Sequence, residues 1–319
     1  MKDVSITPIS IILDVEKHIN NMNKNKLFYS ASELLARGIF KMPFLLEPIF
    51  PQVGLVALAG SSDTGKSSFL RQFAISVVTN KSTFLDFKLN TIHRKAIYVS
   101  SEDDDIAISF LLHKSKISNS TNIDDYKDLY YIFETQDILQ VLKGFLEKNK
   151  VDLIVVDAFS DLYGKSMNET NQVRNFLNEY SQIAQTYKCL IIFLHHTGKR
   201  TEDLIPSKNN LLGSQGFEAK MRLVIELRND RLDMSKKHLC IVKGNYLPRE
   251  MKNESYVLTF EDDLTFTMTN ERVLFEELLS SNNNEVRNRI KELYKNGKSQ
   301  SEISKIVKLS QATISRMLK

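Results

Sequence analysis

The sequence predicts an α/β fold, with a core built on a mainly parallel central sheet and a small all-α domain at the C-terminus. Two patterns predict the core. Short apolar runs alternate with segments of helical period, and the runs are apolar on both faces, as buried parallel strands are. A glycine-containing turn at 60–67 joins the first of these runs to the first core helix. A third observation predicts the tail. Residues 281–319 carry nine Lys/Arg and three Glu, a net of +6, on a chain whose remainder is −2.

Residues 1–50 read as an N-terminal helical segment, with helices near 11–20 and 31–37 and then a loop through Pro43, Pro48 and Pro51. Residues 51–280 form the core. Its parallel strands are expected at 54–59, 96–99, 129–133, 151–156 and 190–194, and its helices at 67–79, 138–149 and 171–187. After Arg222 the pattern changes to hairpins, with strands at 223–227, 239–242, 256–260 and 265–268 and a turn at Arg228-Asn229-Asp230. Residues 280–284 read as a linker before the last domain, 285–319.

No apolar run approaches the length that crosses a bilayer, so no membrane partner is expected. The apolar triplet at 11–13 is too short for a signal peptide. Cys189 and Cys240 both fall inside strand-like runs, which fits a reduced, cytoplasmic protein with no catalytic thiol.

Gly60-Ser61-Ser62-Asp63-Thr64-Gly65-Lys66-Ser67 matches G-x-x-x-x-G-K-[ST] at every fixed position, between a strand and a helix. Glycines let the backbone turn its N–H groups toward phosphates, and the helix N-terminus adds positive potential. Gly60 to Ser68 are the expected cradle for ATP, with Lys66 on the β- and γ-phosphates and the Ser67 hydroxyl on Mg2+. Asp63 is out of place there, because a carboxylate repels phosphate unless it points away. Asp157 closes the run 151–156 and fits a Walker B aspartate holding the water shell of Mg2+. Glu102, just past 96–99, is placed to act as base or to position the attacking water. Its acidic neighbours Asp103, Asp104 and Asp105 leave an ordinary acidic first helical turn equally open.

From Pro43 to Pro248 the chain resembles the RepA-type branch of the RecA-like P-loop ATPases, related to the DnaB and KaiC lineages. Beyond the P-loop, the likeness lies in Tyr98-Val99-Ser100-Ser101-Glu102-Asp103 and in Asp157-Ala158-Phe159-Ser160 with Asn168-Glu169-Thr170-Asn171. It continues in Phe193-Leu194-His195-His196-Thr197-Gly198-Lys199, in Gly213-Ser214-Gln215-Gly216 leading to Arg222, and in Lys243-Gly244-Asn245-Tyr246. The resemblance implies a RecA-like core in which Glu102 polarises the attacking water and His196 senses the γ-phosphate. It implies that Arg222 is an arginine finger on the neighbouring subunit's ATP, with Lys243 a second contact of that kind. It implies a homo-oligomer, usually a hexameric ring, and single-stranded DNA in the pore. The loop 199–210 lies where related motors contact DNA, although Glu202 and Asp203 offset Lys199, Arg200 and Lys208.

Residues 285–319 read as three short helices: 286–295 stopping at Asn296-Gly297, then 301–307, then 311–317 capped by Ser310. Ile290, Leu293, Ile303, Ile306, Leu309, Ile314 and Met317 are the expected miniature core. The phrase from Ser299 to Arg316 resembles the helix-turn-helix of resolvases and related regulators. In that likeness Gln311, Ala312, Thr313, Ser315 and Arg316 face the major groove of duplex DNA, while Lys298, Lys305, Lys308 and Lys319 meet phosphates. A helical bundle for protein docking is the other reading. Two functions follow: a ring-forming, DNA-stimulated ATPase or helicase of a plasmid or mobile element, or an ATP-gated DNA-binding regulator or initiator that does not unwind DNA.

Overall fold

The computed structural model describes residues 28–114, 122–198, 201–213, 215–231, 233–278, 283–307 and 311–318. Of the predicted features, the helix at 11–20, Lys199 and Arg200, Ser214, and the stretch Lys308, Leu309 and Ser310 lie outside the described residues, as does Lys319. The side chains of Ala312, Thr313, Arg316 and Met317 do too. Residues 1–42 and 43–319 form two compact units. In the first, helix α1 (Ala31–Leu35) starts at a capping box: Ser30 Oγ accepts the Glu33 N–H and the Glu33 carboxylate accepts the Ser30 N–H.

The second unit opens with strands β1 (Phe44–Glu47), β2 (Phe50–Pro51) and β3 (Gly54–Gly60), then helix α2 (Lys66–Val78) and strands β4 (Thr83–Phe84), β5 (Phe87–Leu89) and β6 (Ala96–Ser100). Next come α3 (Asp105–Lys114), β7 (Leu129–Ile132), α4 (Ile138–Leu146), β8 (Leu153–Asp157), α5 (Phe159–Tyr163), α6 (Thr170–Tyr187) and β9 (Leu190–His196). The core ends with α7 (Gln215–Lys220), β10 (Leu223–Asn229), β11 (Lys236–Gly244), β12 (Glu254–Phe260) and β13 (Phe266–Leu274).

Nine strands form the main sheet in the order β13-β12-β11-β10-β3-β9-β8-β6-β7. The six from β10 to β7 are parallel and the other three extend the sheet antiparallel. Alternation along the strands feeds two buried clusters. Val56 and Leu58 of β3 face α2 (Phe69, Leu70, Phe73), whereas Leu55 and Ala57 face α4, α6 and α7 through Leu142, Leu177 and Phe217. The proline-containing stretch after residue 42 is not the expected loop. Its apolar residues Leu45, Leu46 and Phe50 are buried in a small antiparallel sheet of order β2-β1-β5-β4 that caps one end of the first cluster. Pro breaks no ladder there, because these strands are only two to four residues long.

Three helices close the chain: α8 (Asn283–Lys295), α9 (Gln300–Val307) and α10 (Gln311–Leu318). Gly297, at φ +79, ends the α8 turn, and Ser299 with Glu302 forms a capping box for α9. Ile290, Ile303, Val307 and Ile314 build a core of their own, flanked by Leu293 and Leu318. Ile306, expected in that core, is instead 43% exposed. The buried face of α9 runs from 303 to 307, four residues on, and Val307 fills the place.

Candidate nucleotide site

The parallel order puts β9 between β3 and β8, so the C-terminal ends of β3, β9, β8 and β6 converge on one edge. Ligand sites of open α/β sheets form at such an edge. The chain leaves β3 at Gly60, where a Cβ would come within 2.5 Å of the Leu227 carbonyl oxygen. It turns back through Gly65, at φ +87, where a Cβ would meet Phe266 Cζ at 2.8 Å. Both fixed glycines of the motif are thus required by space as well as by conformation. Thr64 Oγ1 and Lys66 Nζ each donate to the Ser61 carbonyl, at 3.0 and 2.6 Å. Ser62 and Asp63 are exposed, and Asp63 holds φ +60 without a hydrogen bond to the loop, so its carboxylate is free to point away from the cradle.

Lys66 is buried. Burial holds its ammonium below the usual lysine value, against the opposing charges of Asp157, Glu102 and Asp63. Asp157, the last residue of β8, is also buried, and burial raises its carboxyl. Hydrogen bonds from Tyr98 and Ser67 and the charge of Arg71 pull it back. The Tyr98 hydroxyl donates to Asp157 Oδ2 at 2.6 Å, while Oδ1 is buried with no partner. An unpaired buried carboxylate oxygen beside the first hydroxyl of the P-loop helix suits the water shell of a hard divalent cation, so these residues fit Mg2+. Mg2+ there would draw off charge from the β- and γ-phosphate oxygens.

Glu102 follows β6, and its Oε1 lies 4.0 Å from His196 Nε2 at the end of β9. Burial first, then Asp157 and Asp161, raise the Glu102 carboxyl; burial and then Lys66 lower the His196 imidazole. His195 points the other way. It is buried against Phe159 and Phe217, its Nε2 donates to the Leu212 carbonyl at 2.8 Å, and burial pushes its pKa down to about 4. Of the two histidines only His196 faces the phosphate edge.

Lys66, Ser67, Asp157, Glu102 and His196 are therefore brought together. Arg222 is not among them. It is exposed at the start of β10, where its N–H donates to the Leu55 carbonyl and its Cγ lies 3.3 Å from a Cβ built on Gly54. Gly54 and Gly60 are the two ends of β3, about 20 Å apart at strand rise. Lys243 pairs with Glu218 at 2.9 Å. On α10, Gln311 is exposed and Ser315 half-buried.

Sequence reasoning missed several contributors: Tyr98, which orients Asp157; Gln72, whose side-chain amide exchanges two hydrogen bonds with the Phe266 backbone; and Phe266 and Phe260, which back Gly65. It also missed a buried pair on β10. Arg228 Nε donates to Glu226 Oε1 at 2.7 Å, and its other nitrogens hold the Leu204 and Thr201 carbonyls. Two charges at i and i+2 inside an apolar strand were the available signal.

Residues 41–202 match the AAA domain family. The chain belongs to that family. Among solved structures, this AAA domain protein is similar to the ATPase domain of a DnaB-like helicase, at 15% identity and a TM-score of 0.53, over 83% of this chain and 99% of that one. It is also similar to the KaiC-like protein PH0186 from the hyperthermophilic archaeon Pyrococcus horikoshii OT3, at 16% identity and a TM-score of 0.50, over 70% and 93% of the two chains. No curated protein matches the sequence. Family and fold together make the AAA domain protein an ATPase of the RecA-like kind. Among the described residues, no helix is long and apolar enough to cross a membrane.

Proposed function

We propose that this protein is a Mg2+-dependent, ring-forming ATPase that acts on DNA, of the RepA type that serves a plasmid or mobile element. Its parts are an N-terminal segment (1–50), the ATPase core (51–280) and a C-terminal helix-turn-helix domain (285–319). The observation that carries the reading is the division of the site. Lys66, Ser67, Asp157, Glu102 and His196 share one edge of the sheet, whereas Arg222 stands at the opposite end of β3. An arginine so placed cannot reach the phosphates of its own chain, but it can reach those of a neighbour in a head-to-tail ring.

In this reading the cradle from Gly60 to Ser68 binds the phosphates of ATP, and Lys66 leaves the Ser61 carbonyl to take up the β- and γ-oxygens. Ser67 and Asp157 hold Mg2+ and its waters. Glu102, whose raised carboxyl suits proton acceptance, orients the attacking water, and neutral His196 contacts the γ-phosphate. Gln311, Thr313, Ser315 and Arg316 read duplex bases and Lys308 meets phosphate.

The reading without unwinding also has an observation in its favour. The tail has its own core and capping boxes, as a duplex-reading module would. ATP turnover and strand displacement, each measured with the full chain and with a chain stopped at Asn284, test both. Glu102→Gln should bind ATP and fail to turn it over. Turnover near wild type in that variant refutes the assignment. Displacement of a strand favours the motor, and a footprint without displacement favours the regulator.

A further inference from the structure

Ser61 is the second residue of the cradle, and Lys66 Nζ rests on its carbonyl at 2.6 Å. The position that terminal phosphates would take from Lys66 is therefore within reach of Ser61. The Ser61 hydroxyl is engaged from outside the motif, donating to a carboxylate oxygen of Glu202.

The carboxylate is presented there by a built scaffold. Arg231, in the turn between β10 and β11, donates to the Glu202 carbonyl at 2.6 Å and to Asp203 Oδ1 at 3.0 Å. On either side, Arg228 holds the Thr201 carbonyl at 3.0 Å and the Leu204 carbonyl at 2.6 Å. Further along, Glu226 accepts from Ser207 N–H and from Asn210 Nδ2, both at 3.1 Å. The backbone flanking Glu202 is thus tied to β10 and its turn by buried side chains. Glu202 itself makes no ion pair among the described residues. The cation that feels its charge, Lys237, is buried and donates to Asn229 Oδ1 at 2.6 Å.

We propose that Glu202 is a fixed negative charge at the mouth of the phosphate cradle, which holds Ser61 in the empty site and opposes the γ-phosphate. It thereby sets ATP affinity and narrows the preference for ATP over ADP. This inference rests on the nucleotide-site reading above. A carboxylate and a triphosphate repel across a few ångströms, so the γ-phosphate must displace Glu202 from Ser61, whereas a diphosphate leaves more of the contact intact.

The test is calorimetric titration of the full chain with Mg-ATP and Mg-ADP, comparing wild type, Glu202→Gln, Glu202→Ala and Glu271→Gln. The last removes an exposed carboxylate of β13, paired with Lys236 and away from the P-loop motif. Glu202→Gln and Glu202→Ala should both bind ATP roughly three- to tenfold more tightly, with a smaller gain for ADP. The inference is overturned if Glu202→Gln binds ATP no better than Glu271→Gln. It is equally overturned if only the alanine variant gains, which would make the effect one of room rather than charge, or if ATP and ADP gain alike. Absence of ATP binding by every variant and by the wild type would refute the nucleotide-site reading instead.

Discussion

Tyr98 and Tyr131 are neighbours on β6 and β7, with ring centroids 5.3 Å apart, and both hydroxyls are buried, yet only one has a partner. Tyr98→Phe removes the 2.6 Å bond to Asp157 and leaves a buried carboxylate without its donor. A hydrogen bond to a charged group contributes about 1.5–3 kcal/mol, so the variant should lose on that order in unfolding free energy at neutral pH. The same loosening of Asp157 should weaken Mg2+ dependence of turnover by about 10- to 100-fold, the equivalent of that energy. The pH response has a definite sign. Burial already raises the Asp157 carboxyl, and the Tyr98 bond lowers it again. Without the bond the carboxyl rises further, so the acid limb of the activity profile moves to higher pH. The stability loss is present above the folded-state value and shrinks as pH falls through it. Tyr131→Phe is the internal control. It deletes a buried hydroxyl that has no partner and should be neutral or stabilising. Urea unfolding, with Mg2+ titrations of ATP turnover across pH, reads all of this. If Tyr98→Phe keeps wild-type stability, Mg2+ dependence and acid limb, the role given to Tyr98 is wrong.

Arg222→Ala should lose on the order of a thousandfold in turnover with nucleotide affinity unchanged, and regain activity when mixed with Lys66→Ala; co-assembly without rescue would refute action between subunits. Gly65→Ala should abolish nucleotide binding, since a Cβ there lies 2.8 Å from Phe266 Cζ at a φ of +87; trinitrophenyl-ATP binding at wild-type strength would contradict the packing argument. Arg228→Met should cost about 3–5 kcal/mol by stranding the Glu226 charge, with much of the loss recovered when Glu226→Leu is added; chemical denaturation of the single and double variants decides it. Ile303→Ala should remove about 2–5 kcal/mol from a four-residue core, enough to unfold the tail, so duplex binding should vanish while ATP turnover persists.

The parallel part of the sheet was legible because its strands are apolar on both faces and its glycines fall at a strand-to-helix turn. Lys66, Asp157 and Glu102 could be placed because each closes or follows one of those runs. The small sheet at 44–51 was not legible, since its strands are too short to show a period and prolines punctuate them. Tyr98 reads in sequence as one more apolar strand residue; its bond to Asp157 exists only because β6 lies beside β8. Glu226 and Arg228 would read as surface charges until the loop at 201–210 covers them. Ile306 and Val307 show the limit of helical phase, where one residue of shift exchanges core for solvent.

The three antiparallel strands beyond β10 have a mechanical consequence. Gln72 of α2 is locked to the Phe266 backbone by two hydrogen bonds of 2.8 and 2.9 Å, and the Phe266 ring packs on Phe69 and against Gly65. The helix that receives the phosphates and the outermost strand of the sheet therefore move as one body. A tilt of α2 at the cradle would be passed to the hairpin of β12 and β13 undivided, as through a crank, with no soft joint between them. The same rigidity works in reverse, since by linkage any load on β13 that displaces Phe266 alters the fit at Gly65 and with it the hold on nucleotide.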